Sequence, residues 1–302
     1  MGDKRLTRAF LLLSIFLLGG CLEQENKPKP VVKRTSPKPT KTIKITKTTS
    51  VAPKAKRTTS REPVEGQPFV NGQGMKMVWI PAGSFKMGQG TDHDAERPIH
   101  SVKLSYGFWM SSTETTQEQY KKVMGSNPAK IQGKNHPVES VDWPTAGRFC
   151  SKLQVLEFRQ RLVPRTHVYK LPSEAQWEYC ARAGTETVRY AEPVDDIAWH
   201  EGNASKTHHP VAQKNANSFG LYDMLGNVGE WCADGFHRSY QGAPKDGSTW
   251  TKGMVPGDYI TRGGHYDANG HFCSAYFRRF FHQYRAKLPY LGFRVVLVPR
   301  KR

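Results

Sequence analysis

The chain has 302 residues, a formal net charge of +19 and 37% hydrophobic residues. This length predicts one or two domains. The excess of Lys and Arg would suit an acidic partner, but no nucleic-acid recognition module is visible in the sequence, which argues against DNA or RNA.

The first 20 residues have the features of a lipoprotein signal peptide. Lys4, Arg5 and Arg8 precede an apolar run at 9–18, and a glycine pair stands directly before Cys21. The run is shorter than the roughly 20 apolar residues of a spanning helix, so it is typical of a cleaved signal. Small residues before a cysteine are the pattern of a bacterial lipobox, which predicts cleavage before Cys21 and acylation of its thiol. The alternative is an ordinary signal peptide followed by an unrelated cysteine.

Residues 21–66 are predicted to be a basic tether. Between Leu22 and Gly66 there are twelve Lys or Arg against four Glu, mixed with Pro, Thr and Ser. Such a segment buries too little apolar surface to offset its ordering entropy, so we expect disorder and an r.m.s. span of roughly 35–40 Å. Beside a lipid anchor, this charge would attract anionic headgroups or acidic cell-wall polymers. Leu22 is not the aspartate associated with inner-membrane retention, so we expect a lipid-anchored envelope protein, on the outer membrane facing the periplasm or at the cell surface.

Residues 67–302 are predicted to fold as one domain that begins with short strands. Met75–Ile80 and Phe85–Gly88 are apolar runs separated by a Pro-Ala-Gly break. A further strand pair is expected between Ile99 and Met110, where apolar residues alternate along the chain.

Three helices follow, each with a start signal and an apolar face at helical spacing. The first and third open on capping boxes, and the second has proline in its first turn. Trp177 and Tyr179 in the third helix are interpreted as packing residues. The predicted segments are Thr116–Gly125, Pro144–Leu156 and Ser173–Gly184.

Regular patterning fades after the third helix. The stretch from Thr185 to Phe219 is rich in Gly, Asn and His, and long loops of this kind are usually functional or held by specific contacts. His200, His208 and His209 match no zinc-ligand spacing, so we expect them to face solvent. Short helices, many short strands and long loops together predict an α+β fold. The last strands are expected at Glu230–Cys232, Tyr259–Arg262, Phe272–Arg279 and Gly292–Leu297.

A glycine-punctuated loop between Asn217 and Cys232 carries two acids seven residues apart, Asp223 and Glu230. Hard carboxylate oxygens with free backbone carbonyls between them are compatible with a Ca²⁺ site. The alternative is a buried turn whose acids pair with arginines such as Arg262 or Arg294.

Several motifs resemble, in their order, the signature of the formylglycine-generating enzyme family (sulfatase-modifying factor domains). They are Met77-Val-Trp-Ile-Pro-Ala-Gly-Ser-Phe-Lys-Met-Gly88, Glu96-Arg-Pro98, Leu171-Pro-Ser-Glu-Ala-Gln-Trp-Glu-Tyr179, Gly220-Leu-Tyr-Asp-Met-Leu-Gly-Asn-Val-Gly-Glu-Trp231, Arg262-Gly-Gly264 and Leu291-Gly-Phe-Arg294. The resemblance covers roughly residues 68–298 and implies an FGE-like fold, related to the C-type-lectin arrangement.

The resemblance also implies which residues would carry chemistry. The family's enzymes bind Cu(I) through two cysteines that follow the Arg-Gly-Gly motif, and both thiolates matter because soft sulfur ligands select Cu(I). Aligned on the glycine pair, Cys273 matches the second cysteine, whereas Ala268 stands where the first should be. His265 replaces the serine after the glycine pair. The expected copper pair is therefore broken, and we do not expect copper as a cofactor.

Two further positions depart from the family pattern around the same pocket. Gly229 stands where an aromatic residue normally precedes Glu230, and Tyr290 replaces the asparagine before Leu-Gly-Phe-Arg. The candidate residues for any residual catalysis are Cys273 and His265. A rebuilt site of His265, His271 and Cys273 would suit a transition metal. The alternative is a buried or disulfide-bonded Cys273 with surface histidines.

The four cysteines of the predicted domain are Cys150, Cys180, Cys232 and Cys273, and export permits disulfides. The sequence does not choose among three pairings. Cys232 with Cys273 is preferred, because both follow motifs that the family packs near one cleft. Free buried thiols remain the alternative for Cys150 and Cys180.

The family also holds a structural Ca²⁺. The resemblance places its side-chain ligands at Asp223 and Glu230 and its carbonyl ligands at Gly226 and Val228. Asp223 replaces an asparagine of the enzyme, which adds negative charge. Such an ion would pin the loop rather than react.

Two functions remain. The first is a lipid-anchored, non-catalytic member of the family that binds a protein, peptide or glycan in the envelope. The second is an oxidase of the formylglycine-generating type, or an enzyme with a rebuilt metal site. The missing thiol at Ala268 favours the first.

Overall fold

The computed structural model describes residues 62–90 and 94–300. The predicted signal peptide, the predicted acylation site Cys21 and nearly all of the predicted tether lie outside these residues. Within the described part, no helix combines the length and apolar content that a membrane crossing requires.

Short strands and four helices alternate along the described chain, as the predicted α+β class requires. Strands β1 to β13 are, in order, Phe69–Val70, Lys76–Ile80, Gly83–Met87, His100–Leu104, Phe108–Ser111, His167–Lys170, Ala198–Trp199, Leu225–Gly226, Gly229–Gly235, Asp258–Arg262, Arg278–His282, Leu291–Gly292 and Val296–Pro299. Helices α1 to α4 are Gln117–Met124, Trp143–Arg159, Glu174–Arg182 and Val194–Ile197, and 3₁₀ turns lie at Asp94–Glu96 and Gly270–Phe272.

Two sheets carry the domain. One has five strands in the order β1-β2-β5-β13-β6, and the other has four in the order β11-β10-β9-β12. β12 runs parallel to β9, while β10 pairs antiparallel with both β9 and β11. The pairs β3-β4 and β7-β8 complete the described strands. β11 is thus an edge strand of the second sheet.

The helix starts follow from local capping. Thr116 and Ser173 each accept the backbone N–H of the Gln three residues on, and that Gln side chain accepts the cap's own N–H. Asp142 caps α2 through the Thr145 N–H. Each cap satisfies an N–H that has no partner within the helix, a contribution of about 1 kcal/mol. The three predicted helix starts are confirmed.

Two apolar clusters place the sheets against the helices. Phe149 and Leu153 of α2 pack with Trp109, Tyr169 and Leu297 of the five-stranded sheet. In the other cluster, α3 packs against β9 and β10 of the second sheet. Every residue of this helix is buried, so α3 covers the core side of that sheet. Losing an aromatic ring such as Phe149 from such a core costs about 3–5 kcal/mol.

The strand predictions hold in part. The strands expected around 75–110, at 230–232 and at 259–262 are present, whereas β1, β6, β7 and β8 were not predicted. The strand expected at Phe272–Arg279 is wrong: Gly270–Phe272 is a 3₁₀ turn capped by Asn269, and pairing starts at Arg278. The strand expected at Gly292–Leu297 is split, because β12 pairs with β9 and β13 with β5 and β6.

Candidate functional site

A narrow cleft opens where the second sheet meets the chain after the Arg-Gly-Gly motif. Its cavity volume is about 10 Å³, enough for about one water molecule. Its walls come from β9, β10, β11, β12 and the turn that holds His265. The lining residues are Gly229, Thr261, Arg262, Gly264, His265, Phe277, Arg279, Phe281, Tyr290 and Leu291.

His265 lines this cleft. Its ring stacks on Tyr290 with centroids 4.1 Å apart, and its Nε2 lies 3.0 Å from Nη1 of Arg279. Burial and the positive charge of Arg279 lower the pKa of His265 to about 4. The imidazole is therefore neutral at pH 7 and accepts the guanidinium N–H, so its Nε2 lone pair is engaged with a cation.

Cys273 lies behind the cleft in the apolar core, with no exposed surface. Burial raises the pKa of its thiol to about 12, so the sulfur is protonated at neutral pH. Metal ligation and nucleophilic attack both need the thiolate. Ala268, at the position of the family's first cysteine, offers no sulfur.

The three residues of the alternative metal site are not arranged as one. His271 is exposed, Cys273 is in the core, and His265 is engaged with Arg279. Across residues 62–90 and 94–300, no three His, Cys, Asp or Glu side chains lie in an arrangement that would hold a metal.

The preferred disulfide is wrong in this structure. Cys150, Cys180, Cys232 and Cys273 are all free and buried. Cys232 lies in β9 and Cys273 follows the 3₁₀ turn, and each packs as a small apolar side chain in the core. The alternative of free buried thiols holds for all four.

The loop that bears the predicted calcium ligands is organised around an ion pair. The carboxylate oxygens of Glu230 lie 2.8 and 2.7 Å from Nε of Arg294, and the indole N–H of Trp177 donates to Oε2 at 2.8 Å. Arg294 also donates to the carbonyls of Tyr222 and Asp223. This is the arginine pairing that the sequence left open, made with Arg294 rather than Arg262.

The same loop holds an excess of buried acids. Glu114 accepts the N–H of Val228 and the side-chain amide of Asn227, while Asp223 accepts the N–H of Ala212. Burial, and then the charge of Asp223, raises the pKa of Glu114 well above its ordinary value, and burial raises that of Asp223 to about 6.

Both oxygens of Glu230 already accept protein donors, so Ca²⁺ at this carboxylate would have to displace or share the Arg294 guanidinium. The described contacts thus satisfy Glu230 without a metal. Glu114 and Asp223 also interact with the guanidinium of Arg294, however, so this loop region holds more buried carboxyl groups than that one cation can neutralise. Calcium at Asp223, Gly226, Val228 and Glu230 stays a prediction.

Arg262 belongs to a second buried ion network that the sequence did not reveal. It bridges Glu174 at 3.0 Å and Glu178 at 2.5 Å, and Arg278 also binds Glu174, at 2.5 Å. Arg182 completes the set by pairing with Glu178 at 2.8 Å. The network ties α3 to β10 and β11, and so fixes the floor of the cleft. The sequence signal for this network was a pair of acids, Glu174 and Glu178, four residues apart and so on one side of a helix.

The loop histidines were predicted to face solvent, and this is wrong for two of them. His208 is fully buried with its Nδ1 2.9 Å from Nδ1 of His136, and His200 is buried with its Nε2 2.7 Å from Asp195. His209 stacks on Trp199. The long loop folds back onto the domain through these contacts, which explains how it stays ordered with little regular structure.

Comparisons with known proteins agree with this fold. A sequence model of the sulfatase-modifying factor enzyme 1-like domain matches residues 64–298. The formylglycine-generating enzyme of Streptomyces coelicolor is 30% identical over 66% of this chain and 81% of its own length. The chaperone protein LppX of Paenibacillus barcinonensis is 28% identical over 64% of this chain and 85% of its own length. The structure of PvdO from Pseudomonas aeruginosa superposes with a TM-score of 0.69, at 27% identity over 78% of this chain and 99% of that protein.

Proposed function

The chain belongs to the sulfatase-modifying factor enzyme 1-like family, and from that premise we propose that it is a non-catalytic member, a binding module of the cell envelope. The observation that carries the proposal is the loss of one of the two family thiols behind the cleft. Cys273 is buried with a raised pKa, and Ala268 supplies no thiol at the other family position. A lone protonated thiol is a weak Cu(I) site, because soft two-thiolate coordination is what selects that ion.

The sheet edge beside the cleft suits recognition of an extended chain. β11 is an edge strand, and no described strand pairs with its outer side. Such an edge binds a peptide by main-chain hydrogen bonds. Phe280 and Arg279 on this strand are exposed, and Tyr290 and Phe281 stand nearby at the cleft. The partner would be a protein, peptide or glycan of the envelope, and a relative named as a chaperone is consistent with a protein partner.

The proposed location rests on the N-terminal sequence. A lipobox ending at Cys21 would give a lipid anchor, and the basic segment after it would give the domain a reach of roughly 35–40 Å from the membrane. The binding module would then work at the outer membrane or the cell surface.

Oxygen uptake with a cysteine-containing peptide tests the absence of catalysis. The full chain with Cys21→Ser, supplied with Cu(I) and reductant, is compared with an Ala268→Cys variant of it. We expect background uptake from the parent. Uptake that depends on the peptide and is abolished by Cys273→Ser would overturn the proposal. Ala268→Cys is the positive control, because it restores the missing thiol and changes no residue that lines the cleft.

Photo-crosslinking tests the binding role. A photoreactive amino acid at Phe280 is placed on the edge strand, with a matched one at the exposed Lys206 as control. In intact cells we expect a discrete adduct from position 280 that is absent from position 206. The same adducts from both positions, or none from either, would contradict a partner at this edge.

A further inference from the structure

The solvent side of α2 carries cations and apolar side chains without an acid. Glu157 is the sole acidic residue of the helix, and it is buried, where it accepts the Gly72 N–H at 3.1 Å. The exposed residues recur at helical spacing and so share one side. We call them the α2 face: Arg148, Ser151, Lys152, Val155, Phe158 and Arg159.

An open apolar groove lies between α1 and α2, and part of the α2 face forms one of its walls. Its volume is about 400 Å³, and its walls are Val123, Ser151, Lys152, Val155 and Leu156. Val155 is 48% exposed and Phe158 is 40% exposed. Exposure of large apolar side chains to water is unfavourable, so covering this groove would stabilise the protein.

α1 contributes Val123 to the groove and carries further cations. Lys121 and Lys122 are exposed on this helix, and its acid Glu118 lies 3.8 Å from Lys122 and 3.4 Å from Lys134. The cation at the groove wall itself is Lys152 of the α2 face.

The chain enters the domain beside this surface. Besides the Gly72 contact to Glu157, the Gln73 side chain donates to the same carboxylate at 3.3 Å. Asn71 donates to Tyr169 of β6, and α2 packs on that strand through the bond from the Tyr169 N–H to Gln154. The N-terminal entry and the C-terminal half of α2 thus lie together.

We propose that the α2 face and the groove dock on the surface of a bilayer that contains anionic lipids. Apolar side chains ringed by Lys and Arg match the boundary between acyl chains and anionic headgroups. The domain would then rest on the membrane through α2, with its N-terminal entry next to the C-terminal half of that helix.

A fluid surface fits these residues better than a protein partner does. The cations of the face are exposed, and Arg165 lies 5.4 Å above the Phe158 ring. The face offers no acid and no buried polar side chain that would fix the register of a protein. The inference goes beyond the proposed binding role and does not depend on the copper question or on acylation of Cys21.

A fluorescence experiment tests contact of the face itself. The full chain with Cys21→Ser carries Ser151→Cys labelled with an environment-sensitive dye; its own four thiols are buried, so the exposed new thiol at position 151 takes the label. The control carries the dye at Lys206→Cys. With vesicles of phosphatidylglycerol and phosphatidylcholine we expect a blue shift at position 151, none at position 206, and little change with phosphatidylcholine alone. Because the basic tail is identical in both proteins, no shift at 151 or equal shifts at both positions would overturn the proposal.

Sedimentation with the same vesicles measures the contribution of the face. Arg148→Gln with Lys152→Gln should weaken partitioning about 10- to 30-fold, since each cation at an anionic surface contributes a factor of about five. Phe158→Ser should weaken it too, without changing its salt dependence. Lys103→Gln with Lys206→Gln removes the same charge from exposed sites elsewhere and should change it less than threefold. Equal losses in the two double variants would contradict the docking face, as would a face variant that keeps vesicle binding but loses an envelope protein partner.

Discussion

The pair between Glu230 and Arg294 gives the sharpest stability prediction. Both side chains are essentially without solvent exposure, and Nη2 of Arg294 lies 2.7 Å from Oε1 of Glu230. Glu230→Gln keeps the shape and removes the charge, which leaves a guanidinium buried without its nearest counter-charge. Breaking a buried pair from one side costs about 3–5 kcal/mol.

Two neighbouring acids decide where in that range the loss falls. Asp223 and Glu114 lie close enough to Arg294 to interact with its charge, and burial together with like charges raises their pKa values. Once Glu230 is neutral, they ionise more readily and partly compensate the arginine. We therefore expect the lower end, about 3 kcal/mol, which lowers the Tm of a domain of this size by about 6–12 °C.

Urea unfolding, followed by tryptophan fluorescence, measures the free energy of unfolding of each variant. Glu118→Gln is the matched control: it breaks an exposed ion pair and should cost under about 1 kcal/mol. Arg294→Met should cost at least as much as Glu230→Gln, because it leaves three buried acids without their cation, and the double variant should cost much less than the sum. A loss below about 1 kcal/mol for Glu230→Gln, or additive losses in the double variant, would refute the reasoning.

The same titrations with EDTA and with CaCl₂ separate the ion pair from the predicted calcium site. If Ca²⁺ binds the native loop, it raises the free energy of unfolding of the parent by an amount that grows with its concentration, and Glu230→Gln abolishes the increment. If Arg294 alone holds the loop, calcium changes neither protein.

Three other predictions concern the thiols, a buried acid and the anchor. Alkylation of the Cys21→Ser chain without reductant should modify none of the four cysteines in the native state and all four in denaturant; two modified cysteines in denaturant would mean a disulfide. Burial and the charge of Glu174 raise the pKa of Asp234 to about 7, from 3.8 in an unfolded chain. The folded state therefore takes up a proton between these values, and stability falls as pH rises from about 4 to 7. The stability advantage of the parent over Asp234→Asn should accordingly shrink across that window in urea titrations, and an advantage that grows with pH would contradict the assignment. Metabolic labelling with a palmitate analogue should mark the parent and not Cys21→Ser, and label in both would place the acyl group elsewhere.

Local signals in the sequence predicted the helices well. A capping box specifies both ends of its own hydrogen bonds within four residues, so Thr116 and Ser173 were identifiable without any tertiary information. The motif order predicted the family and therefore the fold. Pairing of Glu230 with an arginine was the sequence alternative to a calcium site, and the choice of Arg294 over Arg262 required the structure.

Features that depend on distant segments were missed. Arg262 finds its acids on α3, 84 and 88 residues away in the chain, and no local pattern encodes that approach. His208 is buried because a loop with little regular structure folds against His136. β11 begins later than predicted because Asn269 caps a 3₁₀ turn, so apolar residues before Arg278 pack in a turn rather than along a strand.

A Cu(I) titration against a chromophoric chelator tests the central claim most directly. The Cys21→Ser chain should leave Cu(I) with the chelator, because Cys273 is buried and position 268 supplies no second thiol, whereas Ala268→Cys should retain more. One Cu(I) held per parent chain, and lost on Cys273→Ser, would show that a second ligand reaches this sulfur and would contradict the account.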